Sequence, residues 1–536
     1  MTDAKAAVSE PSDWINPVAV KEFRQAVQSR WVVAVLMLFL LLDLTILGGF
    51  LLLSADVHRS SDGGQEVFVA LLSILLFTCL GFVPAYAGVR LSLERHSTDI
   101  DLLFITTITP GAIVRGKYLA AMALTLLIFS VCMPFMVLTY LLRGIDLPTI
   151  FLVLAGCFVV CAAANALGLF AGAVSGGWLI RGLVAAGVII LLFQMVIGMV
   201  GMLQGLLFLG PGLWGHGWEV WAGVGTFLLV EVLGIGLLYV FAVALLTPRP
   251  ANRMMIPRLY LTGCWAATGA VALVWSHVNL DTAPVVAWTV LSVVALCGLV
   301  VAVVGERDTW SVRVRRTIPR NPLLRLGAFL TYTGSAGGLL WYTLLFATTL
   351  LVLHGWHAAT TGLAGRGDVP EVFTGSLIGF GFVLCYCLTI AAARPVLFRN
   401  APTPHLSVFV MFFGMAMCLV PYLVAFFIEQ NWWLAYPWYF LVSPLVLTAN
   451  ARANLIETAE WIVSGWLILS ALAAVPWALG QWRRFTPHRA AAAKEVSGAL
   501  NDQASVHAAP HDDIAGQGSD ESDDNATVLD GLQDRP

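Results

Sequence analysis

Long apolar runs alternate with short polar segments over most of this chain. A run of about twenty predominantly apolar residues is long enough to cross a bilayer as an α-helix. Such runs occur at 31–54, 67–91, 118–142, 149–175, 179–203, 219–247, 259–278, 284–304, 326–353, 374–393, 405–428 and 459–482. The pattern predicts an all-α fold, a polytopic transmembrane helical bundle with about twelve spans.

The segments outside these runs predict the remaining elements. Residues 1–13 are polar and predicted to be disordered, and 14–30 predict an amphipathic interfacial helix that opens at Asn16 and Pro17. Residues 483–536 predict a disordered acidic cytoplasmic tail. The aromatic segment 431–450 is either a thirteenth span or an interfacial element. We prefer twelve spans, because a thirteenth would place the arginines after residue 482 on the outside.

Composition and charge fix the class of protein. The chain is 59% hydrophobic and 11% charged, with a mean hydropathy of +0.84, which excludes a soluble domain of this length. Lysines and arginines concentrate in alternate loops, and the predicted outer loops hold only Arg59, Arg143 and Arg366. By the positive-inside rule, both termini are expected in the cytoplasm. The protein is expected to be a multi-pass protein of the plasma (inner) membrane. The net charge of -3 indicates no nucleic-acid partner.

One charged insert stands out between the second and third runs. Residues Glu94 to Lys117 read ERHSTDIDLLFITTITPGAIVRGK. Ile100, Leu103 and Phe104 have the spacing of one apolar helix face, which predicts a short helix along the membrane surface. Pro110 and Gly111 are expected to end that helix before the next span. The segment is therefore predicted to be a cytoplasmic elbow between two spans.

This insert resembles the signature of ABC-2-type permeases, the membrane subunits of ATP-binding-cassette exporters. The match runs from Glu94 and Arg95 to Gly116 and Lys117 without a gap, and it departs at Thr98, Asp99 and Thr107, where the family favours Gly, Thr and Pro. The segment NPVAVKEFRQ, 16–25, also resembles the stretch before the first span in that family.

The resemblance implies an organisation and a mode of action. Residues 31–255 would be one six-span family unit with a coupling elbow at 94–117, and 256–482 a second six-span membrane unit. The elbow would dock on a separate ABC ATPase subunit and couple ATP hydrolysis to export of a substrate. A second copy of the chain is a further expected partner, unless the arginine-rich loop 307–325 provides the second contact with the ATPase. The alternative role for that loop, which follows from its charge and not from the resemblance, is binding of anionic membrane lipids. The implied coupling residues are Glu94, Arg95, Asp99, Asp101, Pro110 and Lys117.

No residue pattern predicts catalysis by this chain. GAIVRGK, 111–117, has the glycine and lysine spacing of a phosphate-binding loop, but Tyr118 stands where such a loop has Ser or Thr and no strand precedes it. We therefore expect no enzyme activity, cofactor or metal site here, and ATP bound only by the partner subunit. The nine cysteines lie in apolar runs and are expected to pack as small hydrophobic residues.

Among the polar residues within the predicted spans, three are candidates for a functional role: Asp43, Asn165 and Glu231. Polar groups at that depth are costly, so they indicate either a substrate or proton path or satisfied packing contacts. They support a rival hypothesis, a proton-coupled secondary transporter in which Asp43 and Glu231 carry protons. A membrane anchor or scaffold that recruits proteins through its acidic tail and basic loops is a third. The substrate, the oligomeric state and the role of the tail do not follow from the sequence.

Overall fold

The protein is entirely helical over the part that the computed structural model describes. That part comprises residues 17–53, 63–96, 109–142, 145–175, 177–209, 217–248, 250–279, 281–359, 368–397, 403–428 and 453–487. Sixteen α-helices and one π-helical turn account for nearly all of these residues. The predictions for 1–13, for 431–450 and for the tail beyond 487 lie outside the described residues.

The first eight helices build the amino-terminal half. Helix α1 is short, and α3 and α4 are two parts of one long helix joined by the π-helical turn Thr78–Phe82. The bounds are α1 Pro17–Val27, α2 Arg30–Leu53, α3 Gly63–Phe77, α4 Val83–His96, α5 Pro110–Leu141, α6 Leu147–Ala173, α7 Trp178–Leu209 and α8 Trp218–Leu246. One continuous apolar core, with Phe39, Phe68 and Met136 among its buried residues, joins α2 to α8.

The remaining helices build the carboxyl-terminal half. Their bounds are α9 Met255–Asn279, α10 Ala283–Val304, α11 Val312–Thr317, α12 Pro322–Thr331, α13 Ser335–Ala359, α14 Asp368–Leu397, α15 Thr403–Ile428 and α16 Ala453–Arg484. A second core, which includes Tyr342, Phe380 and Phe382, is formed mainly by α10, α13, α14 and α16. The halves meet where α8 packs on α9, and Trp275 Nε1 of α9 donates to Thr226 Oγ1 of α8 over 2.8 Å.

The prediction of an all-α polytopic bundle is confirmed. Eleven helical segments in the described part are long and apolar enough to cross a membrane. The one predicted run not among these eleven, 405–428, coincides with α15. The described apolar stretch of α15, His405–Pro421, is shorter than a span.

Three predicted boundaries are wrong. The run 326–353 is not one helix, because α12 ends at Thr331 and α13 begins at Ser335. The third span starts earlier than predicted, because α5 begins at Pro110, eight residues before residue 118, while the helix predicted to end at Pro110 lies outside the described residues. At the other end of the chain, α16 continues to Arg484 and Phe485 is fully buried, so the ordered chain extends beyond residue 482.

Glycines allow α4 and α6 to pack with their backbones in contact. A methyl group on Gly168 would collide with the backbone of Pro84, and one on Gly172 with the backbone of Gly88. Gly88 in turn faces Gly168. The Gly168 and Gly172 pair, spaced four residues apart, is the small-residue pattern that favours close helix contact in membranes.

Candidate functional site

The start of α5 determines where the candidate site lies. The Thr109 side chain accepts a hydrogen bond from the Ala112 N–H, and Pro110 occupies the first helical position, where its missing N–H is not needed. The elbow therefore ends at residue 109. The next eight residues, 110–117, belong to a regular helix, so the segment 111–117 is not a phosphate-binding loop.

Gly116 lets α1 lie directly against α5. A Cβ atom on Gly116 would stand 2.7 Å from Val18 Cβ, which is too close for two carbon atoms. Ala19 and Ala26 of α1 are buried along the same helix. Small residues on both helices therefore bring the α1 backbone within reach of the α5 side chains.

Four charged side chains, which we call the charged latch, join α1, α4 and α5: Glu22, Arg90, Glu94 and Lys117. The Lys117 Nζ lies 2.7 Å from Glu22 Oε1 of α1 and 2.8 Å from Glu94 Oε2 of α4. Lys117 is only 4% exposed and Glu22 7%. A buried ammonium between two carboxylates is neutralised where it lies, and losing one partner would leave a buried charge.

Arg90 completes the latch from the α4 side. Its Nη2 donates to Gln25 Oε1 of α1 over 2.6 Å, and its Nη1 donates to Tyr86 Oη over 2.8 Å. Its Nε lies 3.9 Å from Glu22 Oε2. Lys117 and Arg90 thus bind Glu22 and Gln25 of α1. These contacts fix α1 to α4 and α5, the helices on both sides of the elbow.

The structure assigns the predicted coupling residues to different environments. Glu94 and Lys117 pair with each other, and Pro110 is the first residue of α5. Lys117 is buried inside the chain, so its place is in the latch and not on an exposed docking surface. Asp99 and Asp101, together with the side chain of Arg95, lie outside the described residues.

Sequence reasoning missed Glu22 and Arg90. Val20, Phe23 and Val27 form the apolar side of the predicted interfacial helix, and their side chains are 49%, 37% and 43% exposed. The packed side instead carries Ala19, Glu22 and Ala26, spaced by three and four residues. A glutamate between two alanines on one helical face was the signal.

The three intramembrane polar residues lie on separate helices. Asp43 of α2 is completely buried, and neither of its carboxylate oxygens has a hydrogen-bond partner in the described part of the chain. Asn165 of α6 donates from Nδ2 to Thr125 Oγ1 of α5 over 2.9 Å. Glu231 of α8 is partly exposed. No hydrogen bond among the described residues links any two of the three.

A second polar network lies where α9, α10 and α13 meet. Arg258 is fully buried, and its Nη1 donates to the carbonyl oxygens of Leu330 over 2.9 Å and Tyr332 over 2.6 Å. Its Nη2 lies 2.6 Å from Glu306 Oε2, which also accepts from the Gly334 N–H over 2.8 Å. Burial raises the pKa of the Glu306 carboxyl, while Arg258 and the Gly334 N–H oppose that shift.

The same network reaches α14 and α16. Asp308 accepts hydrogen bonds from the backbone N–H and the hydroxyl of Ser335, and it pairs with Arg394 of α14. Gln481 of α16 accepts from the Ala336 N–H over 3.2 Å and donates to Ser335 Oγ over 2.9 Å. The start of α13 is thus held by side chains from three other parts of the chain.

Comparison of the chain with protein-family models, with curated proteins and with solved structures gave no match. The resemblance to ABC-2 permeases therefore rests on the residues of the elbow and of α1 alone.

Proposed function

We propose that this chain is the permease subunit of an ABC-type exporter in a cell (inner) membrane, and that a separate ATPase subunit supplies the energy. Two lines of support converge on one region. The elbow and α1 carry the two stretches that resemble ABC-2 permeases. The charged latch joins those same two stretches in space, although Glu22 and Lys117 are 95 residues apart in the chain.

The latch is the main support for the proposal, because its ion pairs join α1 to α4 and α5, the two helices on either side of the elbow. These three helices are therefore expected to move together. A partner that presses on the elbow acts directly on α4 and α5, and through Lys117 it also acts on α1. Since α1 leads into α2 within three residues, the movement reaches three membrane helices together. An exporter driven by an external ATPase needs a coupling of this kind, because binding energy must favour one arrangement of the spans over another.

In this proposal the chain itself performs no phosphoryl transfer. It binds the ATPase through the elbow between α4 and α5 and alternates between two arrangements of its helices. A second copy of the chain supplies the second elbow for an ATPase dimer. The chemistry of the substrate is left open.

The test is to co-purify an ATPase with the tagged full-length protein in mild detergent. The docking variant Asp99→Asn/Asp101→Asn is expected to lose the ATPase and keep its own stability. Glu66→Gln is the matched control, because Glu66 is an exposed acid at the opposite end of the same span. Glu94 is unsuitable for this test, because removing it also unbalances Lys117.

A latch variant, Lys117→Met, separates docking from coupling. It is expected to retain the ATPase but to lose stimulation of ATP hydrolysis by transport. If the wild-type protein, purified with its native membrane partners, brings down no ATP-hydrolysing subunit, the proposal is wrong.

The buried carboxyl of Asp43 supports a second candidate, a proton-coupled transporter. A carboxyl group without hydrogen-bond donors inside a helical bundle is a typical feature of proton carriers in membranes. Asp43→Asn is then expected to abolish substrate movement driven by a proton gradient in vesicles that contain only this chain. Transport that requires an added ATPase and tolerates Asp43→Asn would decide for the permease.

A further inference from the structure

The segment between α10 and α13 includes the short helices α11 and α12. It holds an unusual number of arginines without an anionic partner among the described residues. Arg325 is held within the chain, because its Nε donates to the Phe485 carbonyl over 2.7 Å and its Nη2 to the Trp482 carbonyl over 3.0 Å. The others form no ion pair with any described residue: Arg307, Arg313, Arg315, Arg316 and Arg320. All but Arg315 are exposed. We call this region, residues 307–331, the arginine platform.

The platform is a rigid surface rather than a loose loop. A small apolar core lies beneath it, with Trp310, Val314, Phe329 and Phe485 among its buried residues. The Trp310 Nε1 donates to the Thr333 carbonyl over 2.7 Å. The backbone that carries the arginines is therefore fixed before any ligand arrives, which lowers the entropy lost on binding.

The platform also has an exposed apolar strip. Leu323, Leu324 and Leu326 of α12 are 78%, 62% and 47% exposed. They follow Arg320 by three to six residues, and α13 begins a span four residues after α12 ends. The strip therefore lies at the level where the spans end, and in a membrane protein leucines at that level contact lipid acyl chains.

Arginines beside such leucines lie at the depth of the lipid headgroups. A guanidinium group binds phosphate oxygens with two parallel hydrogen bonds and stays charged at any physiological pH. Four exposed guanidinium groups without an ion pair among the described residues, beside an apolar strip, match the two parts of an anionic phospholipid. A soluble acidic partner would satisfy the arginines but would leave the leucines uncovered.

We propose that the arginine platform binds anionic phospholipids, with Arg313, Arg316 and Arg320 on the headgroups and the α12 leucines among the acyl chains. Because Arg325 and the apolar core connect the platform to the end of α16, bound lipid stabilises the junction of α12, α13 and α16. This inference is independent of what the protein transports or what drives it.

The test measures lipid preference of the full-length protein by native mass spectrometry from mixed micelles containing phosphatidylglycerol and phosphatidylcholine at equal amounts. The wild-type protein is expected to retain phosphatidylglycerol preferentially. The variant Arg313→Gln/Arg316→Gln is expected to weaken that binding by about fivefold for each arginine removed. The matched control is Arg483→Gln/Arg484→Gln, which removes two exposed arginines of α16 outside the platform.

Other outcomes overturn the proposal. Equal weakening in both double variants would show a general effect of positive charge. A preference that appears only after deletion of 501–536 would show that the acidic tail occupies the arginines in the intact chain. Unchanged lipid preference with loss of a co-purified ATPase in Arg313→Gln/Arg316→Gln would make the platform a protein contact. The altered side chains are exposed, so the variants are expected to fold normally.

Discussion

The position of a charge decides what a single residue contributes in this protein. Lys117 and Arg115 are two residues apart on α5, but Arg115 is exposed and Lys117 is buried between two carboxylates. An exposed charge contributes little to stability, whereas removing one partner of a buried pair leaves the other without compensation. The two residues therefore form a natural comparison.

Lys117→Met is expected to lower the free energy of unfolding by about 3 kcal/mol, because Glu22 remains buried with only the more distant Arg90, at 3.9 Å, to compensate its charge. Arg115→Met, the matched control, is expected to change it by less than about 0.5 kcal/mol. Unfolding by increasing SDS in mixed micelles measures both values. The double variant Glu22→Gln/Lys117→Met is expected to recover part of the loss, since it removes both buried charges. If Lys117→Met and Arg115→Met lower the free energy of unfolding equally, the latch does not stabilise the fold.

At this scale the sequence predicted the residues better than their roles. Glu94 and Lys117 were both selected from the elbow, and the structure brings them together. The third member, Glu22, comes from a distant part of the chain, and no spacing rule connects positions 22 and 117. A buried ion pair between remote segments can be recognised only when the packing of α1 on α5 is known.

Helices depend on neighbours for their exact limits and for their contacts. Each apolar run of spanning length is helical over nearly all of its described residues, because backbone groups in a bilayer must be bonded within the segment. The run 326–353 was wrongly predicted as one span because α12 and α13 are both rich in leucine. What separates them is tertiary: Asp308 binds the Ser335 N–H at the start of α13, and Trp310 binds the Thr333 carbonyl.

The contact between α4 and α6 gives a prediction for an element. Gly168→Ala is expected to destabilise the protein by about 1–3 kcal/mol, because the new methyl group meets the Pro84 backbone and the helices must move apart. Gly156→Ala in the same helix is the control, since its methyl group would have only an ordinary contact with Met199 at 3.8 Å. Alanine is the better helix former, so the control is expected to be neutral or slightly stabilised. Thermal unfolding of both variants in detergent checks the difference, and a stabilised Gly168→Ala protein would contradict the close contact.

The described part of the molecule is built around two large helical cores, each with a buried ionic network where spans end. In the first half Lys117 joins α1, α4 and α5, and in the second Arg258 joins α9 to the segments around α13. The sequence predicted about twelve spans, and eleven helical segments in the described part are long and apolar enough to cross a membrane. It did not predict these networks, because the paired charges lie 95 residues apart in one case and 48 in the other.

Arg258→Met is expected to lower stability by about 3–5 kcal/mol near neutral pH, because Glu306 is left buried without its cation. The loss should depend on pH. Burial already raises the pKa of Glu306, and without Arg258 nothing but the Gly334 N–H opposes that shift. In the folded variant the Glu306 carboxyl then holds its proton more tightly than it does in the unfolded chain. The protonated carboxyl is tolerated at low pH, and stability falls as the pH rises through the raised pKa.

Unfolding midpoints measured from pH 5 to pH 8 check this prediction. Arg307→Met is the matched control, because Arg307 is exposed and adjacent to Glu306. The control should lose little stability and show the pH dependence of the wild-type protein. A constant loss across the pH range in Arg258→Met would mean that Glu306 is not the group left uncompensated.

The π-helical turn at Thr78–Phe82 determines in which direction the side chains of the second part of the second span face. A π-helical turn holds one residue more than an α-helical turn, so every side chain after it is rotated by about 100° relative to an uninterrupted helix. The glycine contact at Gly88 and the latch groups Arg90 and Glu94 all come after that turn. Deleting one residue between 78 and 82 would keep the span hydrophobic and helical. It would also turn both contact surfaces away from α6 and Lys117, so removing one apolar residue would rotate the part of the span that carries Gly88, Arg90 and Glu94.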